Sequence, residues 1–333
     1  MTMRRRVSRT LALRTLAVAF AATATMLLAQ PGAAQTFPSK PFRLMVPHPT
    51  GSGTDAMARI VGQKLAERLG QPVVVENRSG ASGNIGITAV ITSPPDGYTL
   101  LFTNETVVVA PNVLKSVPYD LLRDLAPVGL VAESVVVVGV HASVSATSLR
   151  EFIALAKAQP GKFSYSSCGN GTIMHLAGEL LKLSAGIEMT HIPYRGCAPA
   201  MQDSASGRVP VFFNALTVVQ KLDNAGLVRM LAVVSAERSA FNPAIPTVAE
   251  SGFPNYSASP FQALFVRAGT PREFVGRLSN DLKEVVNAAD VNQRIRGMLF
   301  EPRFLPPQEL TALLRVELAR WAQVAKTAHI EAD

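Results

Sequence analysis

Apolar and polar residues alternate along this chain in two rhythms, and their succession sets out a fold. Short, nearly continuous apolar runs read as buried strands: "FRLMV" (42–46), "PVVVE" (72–76), "YTLLFT" (98–103), "ESVVVVGV" (133–140), "FSYSS" (163–167), "THIPY" (190–194), "VPVFF" (209–213), "RMLAVV" (229–234) and "SASPFQALFV", starting at 258. Between them apolar residues recur at helical spacing. In 54–69, Met57, Ile60, Val61, Leu65 and Leu69 share one face and Gly70 stops the helix. Ser148 and Glu151 form a capping box that opens a helix to Ala158. Ile173, Leu176, Leu180 and Leu181 mark another, a small-residue helix lies near 84–92, and helices at 272–289 and 307–328 flank a short strand, "EPRFL".

Strand–helix alternation with apolar strands predicts an α/β protein with mostly parallel sheets flanked by helices. The two long strands, near 133–141 and 258–266, bracket the middle of the chain. They suggest an inserted lobe, 138–258, joined by two hinge strands to a first lobe built from 35–137 and 259–333, with a ligand cleft between the two.

The first 34 residues follow a different pattern. Five arginines precede an apolar run from Thr15 to Ala29, and "QPGAA" follows. These are the parts of a cleavable secretory signal, cut after Ala34, and the run is short for a membrane span. Export is the expectation. The formal net charge of +8 then changes meaning, because removing 1–34 leaves 27 basic against 24 acidic residues. No basic stripe remains to hold a nucleic acid. The five histidines and two cysteines lack metal-ligand spacing, so neither a metal nor a cofactor is expected. Cys168 and Cys197 both follow strands, in "YSSCGNG" and "YRGCAP"; a disulfide and two buried thiols are both open to them.

Four strands end in loops rich in glycine and hydroxyls: "PTGSGT" (49–54), "TNET" (103–106), "CGNGT" (168–172) and "RGCAP" (195–199). Amides exposed at a helix start attract anions, and four such loops around one cleft would hold a small anionic or polar ligand. Gly51-x-Gly53-x-x-Ala56, with Glu76 further on, also fits a dinucleotide fingerprint. Pro47 and Pro49 stand between strand and glycines, where that fold turns directly, which argues against it. No Lys follows the glycines as in a P-loop, and no G-x-S-x-G marks a hydrolase, so an exported hydrolase of small acids or esters is only the alternative.

Several segments resemble the tripartite tricarboxylate transporter substrate-binding proteins, the TctC or Bug family of the bacterial periplasm. They are "VPHPTGSGTDAMAR", "VVVENRSGASGNIG", "SPPDGYTLLF", "FSYSSCGNGTIMHLAGELLK", "THIPYRGCAPAMQD", "LAVVSAERSAFNPAIPTVAESGFP" and "AGTP", in one order over nearly the whole chain after residue 34. The resemblance implies a two-lobed type II periplasmic binding-protein fold that closes on a small carboxylate. It also implies large and small membrane subunits as partners; a monomer is expected. This chain departs from the family in Thr50-Gly51-Ser52 where Pro-Gly-Gly is usual, in Ser79 for proline, and in Phe261 and Ala263 for tryptophan and glycine. The residues expected to bind ligand are Thr50, Gly51, Ser52, Gly53 and Asp55, with Thr103 and Asn104, from one lobe. Ser167, Asn170, Gly171, Thr172, His175, Tyr194 and Gly196 are expected from the other, with Asn214 a weaker candidate. Asp55 reads as a brace of the helix start rather than an anion contact. Glu105 is expected at the surface, since a carboxylate in the cleft would repel a simple anion; facing inward, it would favour an amino-acid-like ligand.

Overall fold

The computed structural model describes residues 37–331, so the arginine-rich leader lies outside the described residues. Two sheets organise the chain. The first has six strands in the order β11-β4-β10-β3-β1-β2, and the second five in the order β7-β6-β8-β5-β9. β1 (Phe42–Val46) lies between β2 (Val73–Asn77) and β3 (Thr99–Asn104), parallel to both. β10 (Phe261–Arg267) is antiparallel to β3 and to β4 (Leu125–Ser134), and β11 (Phe300–Leu305) completes that edge. In the second sheet β6 (Phe163–Ser167) is parallel to β7 (Met189–Pro193) and β8 (Val211–Ala215), whereas β5 (Val136–His141) is antiparallel to β8 and β9 (Val228–Val233). The α/β, two-sheet expectation holds, with mixed rather than mostly parallel pairing. Every antiparallel pairing involves β4, β5 or β10, the strands at the crossings.

Around 133–140 the sequence reads as one strand, but the extended chain is broken at Val135. Up to Ser134 the backbone belongs to the six-stranded sheet, and from Val136 to the five-stranded one. β4 also begins earlier than expected and contains Pro127, which lies beyond the last β11 pairing, Leu305 with Leu130. The strand is an edge there, where proline's missing N–H is tolerated.

Local rules account for the helices that matter to the site. α1 (Gly53–Leu69) starts at Ser52, whose hydroxyl accepts the Asp55 amide, and ends at left-handed Gly70. α2 (Asn84–Ile91) follows a single 3-10 turn at Ala81–Gly83. A Cβ on Gly86 would lie 2.8 Å from the Arg78 carbonyl and 2.9 Å from Pro47, so only glycine lets α2 approach the end of β1. α3 (Thr106–Val113), α4 (Leu121–Asp124) and α5 (Leu149–Ala158) precede α6 (Ile173–Ala185), which Thr172 caps and left-handed Gly186 ends. α7 (Cys197–Ala205) and α8 (Leu216–Asn224) cover the second sheet; α9 (Arg272–Asn287), α10 (Ala289–Gly297) and α11 (Pro307–Thr327) complete the first. α11 packs against both α3 and α6 and buries Trp321, Leu310 and Leu314 in one apolar cluster that extends through both sheets. Among the described residues no helix is long and apolar enough to cross a membrane.

Candidate functional site

The segment after β1 is built around a buried carboxylate. Asp55 accepts the Gly51 amide at 2.8 Å and the Asn77 side-chain amide at 2.9 Å, and pairs with Arg59 at 3.0 Å. Burial works against its charge, yet these bonds together hold its carboxyl below the usual range. Asp55 is therefore a brace, as its position suggested. Ser52 is equally committed as the cap of α1, while Thr50, Gly51 and Gly53 are exposed.

A cleft of about 620 Å³ opens beside this segment rather than over its glycines. Pro47, His48 and Pro49 line it, with the turn Ser79–Gly83 (through Ser79, Gly80, Ser82 and Gly83) and α3 (through Glu105, Thr106, Val109, Ala110, Val113 and Leu114). The second sheet contributes Asn170, Gly171, Thr172, Ile173 and Met174. Two helix starts therefore border one cavity, α3 from one sheet and α6 from the other. First-turn amides have no acceptor within their own helix, so Ile173 and Met174 bring donors to the cleft edge.

Of the residues expected to bind ligand, Asn170, Gly171 and Thr172 line this cavity and the others do not. Each of the others has a different task or place. The Thr103 hydroxyl lies 3.4 Å from His48 Nε2, and Asn104 Oδ1 accepts the Thr106 amide that starts α3. Asn104 also bonds to His48, whose basicity burial lowers and that bond partly restores. The Ser167 hydroxyl lies 2.7 Å from His191 Nε2. Tyr194 donates to Asp203 at 2.6 Å. Gly196 donates its amide to the Cys168 carbonyl, and buried Asn214 donates to the Cys197 carbonyl at 3.1 Å. His175 is buried beneath the loop, where its Nδ1 accepts the Gly171 amide at 3.2 Å. Gly171 thus lines the cleft with its N–H already used. Asn170 likewise donates its side-chain amide to the Glu331 carbonyl at 2.7 Å.

His175 stacks on His191 with ring centroids 3.7 Å apart and planes 8° from parallel. Burial pushes His175 down to about 4 and His191 to about 3, the latter also opposed by its neighbour's charge, so the pair is neutral near pH 7. Cys168 and Cys197 form a disulfide, with Cα atoms 4.3 Å apart, joining the loop after β6 to the start of α7. Among the described residues no group of three or more His, Cys, Asp or Glu side chains could hold a metal ion.

Glu105 reverses the surface expectation. It is half-buried and lines the cleft, because α3 begins at the cleft edge with Glu105 as its first boundary residue. Burial pushes its carboxyl up to about 7 despite hydrogen bonds from the amides of Glu105 and Phe261. Sequence reasoning also missed His48, the turn at 79–83 and the apolar wall of α3. The signal for the turn was present in "NRSGASG", a glycine-rich loop after a strand; α3 gave none, since its valines read as ordinary core.

Two α/β lobes with ligand-sized space between facing helix starts define a solute-binding receptor of the periplasmic type. The model of the tripartite tricarboxylate transporter family receptor matches residues 57–330, and the chain belongs to that family. Protein BugT of Bordetella pertussis (strain Tohama I) is 35% identical over 315 residues, covering 94% of this chain and 97% of that one. A TctC solute-binding protein from Polaromonas, solved without ligand, superposes with a TM-score of 0.81 at 26% identity, over 88% of this chain and all (100%) of the other. Rpa4515 of R. palustris, solved with adipate, gives 0.71 at 34% identity, over 89% of this chain and 99% of its own.

Proposed function

We propose that this protein is an exported receptor that captures a small carboxylate-containing metabolite in the cleft and presents it for uptake or sensing. The observation that carries the reading is the cavity bordered by the starts of α3 and α6, where the first-turn amides of Ile173 and Met174 attract a carboxylate without a basic side chain. The adipate bound to Rpa4515, a relative of similar fold, supports the same ligand class. In this reading 35–137 with 259–333 and the inserted 138–258 are the lobes, the two crossings act as hinges, and residues 1–34 direct export before removal. Partners would be the large and small membrane subunits of a tripartite transporter, with the receptor itself a monomer.

Mass spectrometry of small molecules released from the purified protein should identify a carboxylate. Added back at about 100 times its Kd, that compound should stabilise the fold by about 2.7 kcal/mol in a thermal-shift assay. Turnover of the compound, in place of its recovery unchanged, would favour the hydrolase alternative. A protein that no small acid or amino acid stabilises is not such a receptor.

A further inference from the structure

The cleft is chemically lopsided. Backbone and hydroxyl groups form the side at Ser79, Ser82, Thr106 and Thr172, whereas Val109, Ala110 and Val113 of α3 and the following Leu114, with Ile173 and Met174 of α6, form a hydrocarbon wall. Only His48 and Glu105 among its lining residues are ionisable, and no Lys or Arg accompanies them. His48 is held towards its neutral form by burial. The Glu105 carboxylate takes amides from its own residue and Phe261, which leaves acceptor capacity on its two oxygens.

The geometry points to Glu105 as the residue that sets the ligand class: a zwitterion, with its carboxylate at the start of α6, its ammonium on Glu105 at the start of α3, and an apolar body against the α3–α6 wall. This assignment rests on the carboxylate-receptor reading and narrows it. A dicarboxylate entering this cavity would bring its second charge into a space whose one ionisable anion is Glu105 and which has no lining cation to offset it. Like charges in such a site disfavour one another, while an ammonium there is attracted and leaves no buried charge unpaired. The wall rewards a hydrocarbon body by removing it from water, and about 620 Å³ accommodates one of aromatic amino-acid size.

Titration calorimetry on the mature protein, stripped of co-purified ligand, tests this with two matched sets of probes. L-phenylalanine, 3-phenylpropanoate and phenylsuccinate form one; 6-aminohexanoate, hexanoate and adipate form the other. In at least one set the zwitterion should bind roughly ten-fold tighter than the compound lacking the amine, with the dicarboxylate weakest. Glu105→Gln should erase that ranking by weakening the zwitterion and strengthening the dicarboxylate, and Glu105→Asp should keep part of it. If dicarboxylates bind best to the unaltered protein, or the ranking survives Glu105→Gln, the role given to Glu105 is wrong and the carboxylate receptor stands. If none of the six binds a protein with a native circular-dichroism spectrum and the released-ligand analysis also yields no carboxylate, the receptor reading itself is overturned.

Discussion

His175 was expected to contact ligand, yet its ring is spent on the loop's own backbone. Stacked on His191 and sunk below the cleft, it keeps the Gly171 amide in place only while Nδ1 is unprotonated. Both rings have folded-state values depressed well below the ordinary 6.5, so the unfolded chain takes up protons first as pH falls. Their contribution to stability is complete above about pH 6.5 and is lost as pH drops through about 4. Glu105 acts with the opposite sign: its raised value favours the fold below about pH 4.5, an advantage that disappears as pH rises through about 7. Urea denaturation of ligand-free protein from pH 8 to pH 4 should therefore show a steeper acid-side loss than a His175→Gln/His191→Gln variant, and Glu105→Gln should gain stability only on the alkaline side. Parallel curves for all three proteins would show that these groups do not titrate as their surroundings imply.

At the scale of elements, the loop after β6 is tied down from several directions. The disulfide joins it to α7, the Gly196 amide bonds to the Cys168 carbonyl, and Thr172 both caps α6 and donates to the Gly169 carbonyl at 2.7 Å. α6 itself sits tightly on β6, because a Cβ at Gly178 would fall 2.3 Å from the Tyr165 ring, whose hydroxyl is held by Glu179 at 2.7 Å. Converting both cysteines to serine opens a cross-link spanning 29 residues, for which chain entropy suggests a loss of about 3–4 kcal/mol. The expected result is a lower denaturation midpoint together with weaker ligand binding, since Asn170, Gly171 and Thr172 lie just beyond Cys168. Equal affinity in the double variant would mean that α6 and His175 position the loop without the cross-link. Helix limits were legible here from capping residues and glycines, because those signals act within a few residues. The break at Val135 was not, since an uninterrupted apolar run looks the same whether it serves one sheet or two.

Across the whole molecule, α11 lies against both walls of the cleft, packing on α3 from one sheet and α6 from the other. The Asn170 bond to the Glu331 carbonyl adds a second link, from the loop after β6 to just past the far end of α11. Glu301 of β11 accepts from the Ser239 hydroxyl at 2.6 Å and the Ala240 amide at 2.8 Å. A ligand held by both α3 and α6 shifts the population towards a closed form only by its stronger contacts there, so closure must slide α6 over α11 or bend the crossings. Small-angle scattering should register a smaller radius of gyration at saturating ligand than without it. An unchanged radius at proven saturation would identify a cleft already closed before binding.

The sequence by itself determined most of the element order, the two-lobed α/β plan and the family. Those properties follow from periodicity, caps and segment order, all of which are local or additive along the chain. Only the tertiary structure decided which loops meet. It committed the Gly171 amide to His175, and brought Glu105 and the apolar face of α3 to the cavity. An amide or carboxylate is available to a ligand only if the fold has not already paired it, and that pairing depends on neighbours far away in sequence.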